Sequence, residues 1–128
     1  MDKHSLLIVD DEKAYARSLA FALKRDFETL TASSLDEALN RLKEGNIRAA
    51  LLDVRLDEND ASNKDGLHIL EWINQNCPGV QTFVMTSYKD MGYREEALKL
   101  GARYFFEKPI DIIRMRTILK EKITAITP

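Results

Sequence analysis

Cysteine is nearly absent from the chain. Cys77 is the single one in 128 residues, so no internal disulfide can form, which fits a reducing compartment. Long apolar runs are missing too: none approaches the ~20 residues that a membrane span requires. The opening, Met1-Asp2-Lys3-His4-Ser5, lacks the apolar stretch of about 7–15 residues found in a secretion signal. We therefore expect a cytoplasmic address and no membrane partner. There is little excess charge of either sign. Nineteen basic residues face twenty-one acidic ones, a formal charge of −2, which argues against direct nucleic-acid binding. No Walker loop, Gly-x-Gly, His-Glu-x-x-His or Gly-x-Ser-x-Gly occurs, so the reactions those motifs serve have no foothold here.

What is present is globular composition, with 45% apolar and 31% charged residues. The length suits one domain over 1–128. Such a chain buries about two-thirds of its unfolded surface and needs no metal or disulfide to fold. Short apolar runs alternate with helix-period segments. Leu6-Leu7-Ile8-Val9, Ala49-Ala50-Leu51-Leu52 and Thr82-Phe83-Val84-Met85 read as strands covered on both faces. Phe27 to Ala32 and Tyr104-Phe105-Phe106 read as edge strands.

Between the runs, Tyr15, Leu19, Ala22 and Leu23 fall on one helical face. Ser34 to Glu37 reads as a capping box before the stripe Leu35, Ala38, Leu39 and Leu42, with Gly45 as the C-terminal cap. Leu67, Leu70 and Ile73 repeat before Pro78-Gly79. Ala97, Leu98 and Leu100 precede Gly101. Ile112, Met115, Leu119, Ile123 and Ile126 give the last stripe. Five strands alternating with five helices predict an α/β, flavodoxin-like, doubly wound parallel sheet in the order 2-1-3-4-5.

Open sheets of this kind bind ligands beyond the carboxyl ends of their strands. Asp10 and Asp11 follow the first apolar run, Asp53 the third and Thr86 the fourth; Lys108 comes two residues after the fifth, with Pro109 next. Three carboxylates at close range raise one another's pKa unless a cation intervenes. Lys108 offsets one charge, and a hard divalent cation such as Mg2+ offsets more. A structural ion-pair cluster would use the same groups, but the four-part set in this chain order favours a functional site.

Leu7-Ile8-Val9-Asp10-Asp11-Glu12, Leu51-Leu52-Asp53-Val54-Arg55-Leu56, Asp65-Gly66-Leu67, Val84-Met85-Thr86-Ser87, Gly101-Ala102 and Lys108-Pro109 resemble the receiver domain of two-component response regulators, the CheY-like superfamily. The resemblance covers essentially the whole chain. It implies that Asp53 is the phosphoacceptor, taking a phosphoryl group from a sensor histidine kinase or a phosphotransfer protein. It implies that Asp11, Asp53 and the backbone carbonyl of Arg55 hold Mg2+, with Asp10 acting mainly through water. Lys108 would hold Asp53 and then a phosphoryl oxygen, and Thr86 another phosphoryl oxygen. Phe105 would turn inward behind Thr86, relaying the change to the surface made by the fourth helix, fifth strand and fifth helix. The resemblance also implies a cis Lys108–Pro109 bond and a homodimer through that surface. An output domain or a separate target protein would read it. The domain would be regulatory, with self-directed phosphoryl transfer and no enzymatic turnover.

The chain departs from the family pattern after Asp53. Gly66 stands thirteen positions beyond it, and the intervening polar stretch 57–65 reads as a mobile loop. It is not an EF-hand: counted from Asp57, the sixth and twelfth positions are Ser62 and His68, not Gly and Glu. Arg55 and Tyr88, two past Asp53 and Thr86, would flank the path of hydrolytic water and slow loss of the phosphoryl group. Two rival readings remain. A flavodoxin-like cofactor binder needs a phosphate cradle after the first strand, where this chain carries two carboxylates. A phosphorylation-independent pseudo-receiver would have lost an Asp, the Thr or the Lys.

Overall fold

The computed structural model describes residues 3–57, 59–87 and 92–124. Strands and helices alternate in the order β1 (His4–Val9), α1 (Lys13–Leu23), β2 (Phe27–Ala32), α2 (Leu35–Glu44), β3 (Ala49–Asp53), α3 (Asp65–Asn76), β4 (Gln81–Ser87), α4 (Arg94–Lys99), β5 (Phe105–Lys108) and α5 (Ile112–Thr124). All strand pairings are parallel, and the sheet runs β2-β1-β3-β4-β5, as the alternation predicts.

The continuous apolar runs are explained by two cores, one on each face of the sheet. Successive strand residues point to opposite faces. Leu7, Val9, Ala50, Leu52, Val84 and Phe105 pack with Ala38 and Leu42 of α2, Leu70 and Ile73 of α3, and Ala97 of α4. Their neighbours Leu6, Ile8, Ala49, Leu51, Phe83, Met85 and Phe106 pack with Leu19 and Leu23 of α1 and with Met115, Leu119 and Ile123 of α5. A fully buried Leu or Ile contributes about 1.5–3 kcal/mol, so an alternating polar residue in β1 or β3 would damage one core or the other. No helix among the described residues is long and apolar enough to cross a membrane.

Local signals are read by the chain with small shifts. Ser34 caps α2, its hydroxyl accepting from the Glu37 N–H at 3.1 Å. The reciprocal half of the box moves by one residue. The Glu37 carboxylate accepts from the N–H of Ser33 at 2.7 Å and from its hydroxyl at 3.2 Å, so two donors of Ser33 hold it there. Gly45 ends the helix at φ 85°, and its N–H donates to Leu42.

Other expectations are corrected. On α1 the inward residue is Ala16, not Ala22. Leu98 is 41% exposed, because α4 is only six residues long and turns Ala97 alone into the core. Tyr104 precedes β5, which begins at Phe105 and ends at Lys108, so the lysine belongs to the strand. Thr86 likewise lies within β4. Ile126 lies outside the described residues.

Candidate functional site

The order β1-β3-β4-β5 sets four carboxyl ends side by side. Asp10 follows the last residue of β1, and Asp53 is the last residue of β3. Thr86 pairs with Glu107 across β4 and β5, and Lys108 pairs with Ser87. The sequence therefore needs only strand order to bring Asp10, Asp53, Thr86 and Lys108 together, with Asp11 beside Asp10. Among the described residues, Asp10, Asp11 and Asp53 present carboxylate oxygens that all lie within 4.8 Å of one another.

Lys108 joins two of them. Its Nζ donates to Asp10 Oδ2 at 2.9 Å and to Asp53 Oδ2 at 3.3 Å, so the expected contact with Asp53 is present but the shorter one is with Asp10. The Lys108–Pro109 bond is cis. Asp10 is fully buried and spends its other oxygen on the Glu12 N–H at 2.9 Å, fixing the turn into α1. Asp53 is 7% exposed: buried, yet open to the surface.

Charge is unbalanced here. With every group ionised, one ammonium faces three carboxylates. Burial pushes the Asp53 carboxyl up to about 7; Lys108 opposes the rise, while Asp10 and Asp11 add to it. Burial by itself would lower the Lys108 ammonium, but Asp53 and Asp10 outweigh it and hold the group above its ordinary value. A largely buried cluster of hard oxygen donors, in which three carboxylates converge, fits a divalent cation such as Mg2+. The Arg55 backbone carbonyl follows Asp53 closely in the chain, which is compatible with its joining that set.

Thr86 is fully buried, and its Oγ1 has no hydrogen-bond partner among the described residues. A buried hydroxyl in that state costs about 1–3 kcal/mol, a penalty that calls for a functional account. Phe105 is only 5% exposed and belongs to the core beneath α3 and α4, with the Arg94 guanidinium 5.8 Å from its ring centre. The ring expected to turn inward is already inside, as suits an aromatic with no hydroxyl to reach water. Tyr88 lies outside the described residues.

Sequence reading missed three features. The first is how closely α3 approaches the site. The Gly66 N–H donates to the Val54 carbonyl at 2.9 Å, and a Cβ at Gly66 would stand 2.0 Å from the Asp53 carbonyl oxygen. Only glycine allows this contact; the Asp-Gly pair was visible, but its reason was not. The second is the order in the long polar segment, whose described residues form hydrogen-bonded turns. Asp57 accepts from the Asn59 N–H, and Asp60 from the N–H and hydroxyl of Ser62. Asn63 Oδ1 accepts from the N–H groups of Leu56 and Asp65, both at 3.0 Å, tying the start of the segment to its end. Lys64 then reaches Glu96 on α4 at 3.4 Å. The third is Tyr15, read only as a core-facing residue, whose ring lies 4.7 Å from the Lys108 ammonium.

Comparison with known proteins follows the same lines. The family described as the response regulator receiver domain matches residues 6–120. The acid tolerance regulatory protein ActR of Rhizobium meliloti (strain 1021) is 35% identical over 108 residues, covering 84% of this chain and 53% of that protein. The response regulator protein PilR of Pseudomonas aeruginosa is 31% identical over 120 residues, covering 93% of this chain and 26% of PilR. The chain thus spans about half the length of one relative and about a quarter of the other. The crystal structure of a CheY-like response regulator receiver domain protein from Methanospirillum hungatei JF-1 superposes with a TM-score of 0.86. The two are 25% identical, and the match covers 97% of this chain and 96% of that one.

Proposed function

The chain belongs to the response regulator receiver domain family, and on that premise we propose that it switches a signalling output when Asp53 accepts a phosphoryl group. As a receiver it is a regulatory domain of the two-component type. The donor in this reading is the phosphohistidine of a sensor histidine kinase or phosphotransfer protein. A carboxylate oxygen of Asp53 attacks phosphorus, the P–N bond to the imidazole breaks, and the imidazole leaves with the electron pair. The result is an acyl phosphate on Asp53.

The observation that carries the reading is the joint state of Lys108 and Thr86. Lys108 is shared between Asp10 and Asp53, and the Thr86 hydroxyl is buried without a partner among the described residues. A phosphoryl group on Asp53 brings new acceptor oxygens to both. Lys108 exchanges its contact with the Asp53 carboxylate for one with a phosphoryl oxygen, and Thr86 gains a hydrogen bond. Asp10, Asp11, Asp53 and the Arg55 carbonyl would hold Mg2+, which when bound supplies positive charge to the negative oxygens of the transferring group. Burial keeps bulk water from these contacts and strengthens them.

Thr86 is followed by Ser87, and the next strand carries Phe105 under α4. Movement of Thr86 toward the phosphoryl group would alter the packing of Phe105 and so the α4-β5-α5 surface, biasing a bistable element. That surface holds a cavity of roughly 270 Å³ lined by Phe105, Arg94, Arg114, Glu107 and Asp111 among others. Its mixed charges suit self-association of two copies, or docking of an output domain or target. Arg55 together with Tyr88 would slow hydrolysis of the acyl phosphate.

The test is acetyl phosphate with saturating Mg2+, read by intact mass. The wild type gains one phosphoryl group and Asp53→Asn gains none. Beryllofluoride with Mg2+ shifts the amide signals of Thr86, Phe105 and Lys108. An unaltered wild-type mass together with unmoved amides would end this reading.

A further inference from the structure

We infer that Tyr15 is a positioning residue of the phosphoryl-transfer site, its ring holding the Lys108 ammonium between Asp10 and Asp53. The inference rests on the function proposed above and adds to it a residue outside the Asp, Thr and Lys set.

Three observations converge. Tyr15 sits in the first turn of α1, four residues past Asp11, so the turn that carries Asp10 and Asp11 also delivers its ring to the site. The Lys108 Nζ lies 4.7 Å from the ring centre, within the range in which the negative face of an aromatic ring attracts a cation. The same ammonium has 2.9 Å and 3.3 Å contacts with Asp10 and Asp53. The lysine side chain is long, flexible and only 18% exposed, and its ammonium has three N–H donors, so it serves both carboxylates while its remaining face meets the ring. A ring offers a broad attractive surface with no hydrogen-bond direction. It lets the ammonium stay shared, and later pass to a phosphoryl oxygen, without losing its support.

The phenol oxygen tells a different story. It is buried and has no hydrogen-bond partner among the described residues. It makes no hydrogen bond to Lys108 or to the carboxylates, so the positioning role inferred here falls to the ring. Phenylalanine at position 15 should serve, whereas an aliphatic residue of similar bulk should not. This separates positioning from mere space-filling, since leucine preserves the apolar contact with the core around α1 but removes the face that attracts the cation.

The experiment compares wild type, Tyr15→Phe and Tyr15→Leu. In the protein without phosphoryl donor, the Lys108 side-chain methylene protons are shifted upfield by the ring. That shift persists in Tyr15→Phe and disappears in Tyr15→Leu. With acetyl phosphate and saturating Mg2+, Tyr15→Leu takes up the phosphoryl group on the order of ten-fold more slowly, and Tyr15→Phe rescues the rate. A leucine variant that keeps the wild-type rate overturns the inference. So does a phenylalanine variant as slow as leucine, or a slow leucine variant whose Lys108 signals do not move. If the wild type itself takes up no phosphoryl group, the proposed function fails instead. The upfield shift still decides whether ring and ammonium meet.

Discussion

Replacing Asp53 with asparagine should stabilise the metal-free protein. The carboxyl titrates at about 7 in the fold against an ordinary 3.8. Each pH unit of such a shift is about 1.4 kcal/mol, so keeping Asp53 ionised costs the fold roughly 4 kcal/mol at neutral pH and above. Asparagine removes that cost and still offers an oxygen to Lys108, but its amide N–H groups enter a buried site and need partners, at about 1–3 kcal/mol. The expected net gain is about 1–3 kcal/mol, or several degrees in Tm for a chain of this length.

The pH dependence has a definite sign. An acid whose folded pKa is raised keeps its proton in the fold over a range in which the unfolded chain has released it. Wild-type stability from this group is therefore full below about 4 and falls as pH rises to about 7, the reverse of an ordinary salt-bridged Asp. Urea unfolding with chelator present should give a higher midpoint for Asp53→Asn at pH 8, with a difference that shrinks steadily toward pH 4. Mg2+ should then close the gap from the other side. At a hundred times its Kd it adds about 2.7 kcal/mol to the wild type, and much less to the variant. A variant less stable than wild type at pH 8, or a difference that ignores pH, would refute the claim that burial and neighbouring carboxylates dominate Asp53.

Other expected outcomes follow from single contacts. Gly66→Ala forces a carbon to within 2.0 Å of the Asp53 carbonyl oxygen, so α3 must shift; urea titration should show a loss of at least 3 kcal/mol, or no folded protein. Thr86→Val deletes a hydroxyl with no partner among the described residues; stability should hold or rise by about 1 kcal/mol, while the beryllofluoride-induced shift at Phe105 disappears. Asn63→Ala leaves the Leu56 and Asp65 N–H groups without their acceptor; the loss should be about 1–2 kcal/mol by thermal unfolding, with faster amide exchange at those two residues.

Much of this protein is legible before any coordinates exist. The unbroken apolar runs at Leu6–Val9 and Ala49–Leu52 imply strands buried on both faces, and that condition already demands a parallel sheet clothed in helices. Once the strand order follows, the residues after each run must converge, so Asp10, Asp53, Thr86 and Lys108 needed no structure to be named together. Such statements depend on period and on chain order, which are one-dimensional. Packing distance is not. Nothing in the string distinguishes the Lys108 hold on Asp10 from its hold on Asp53, nor reveals that Gly66 abuts the Asp53 backbone. The Asn63 contacts that tie together the long polar segment, and the Tyr15 ring beneath the Lys108 ammonium, are equally silent there. Each of these depends on atoms brought within a few ångströms by elements remote in sequence, and on the burial that results. The same burial places the Asp53 carboxyl near neutrality. The convergence of these acidic, hydroxyl and basic groups therefore belonged to the sequence, and the balance of forces on each of them belonged to the tertiary structure.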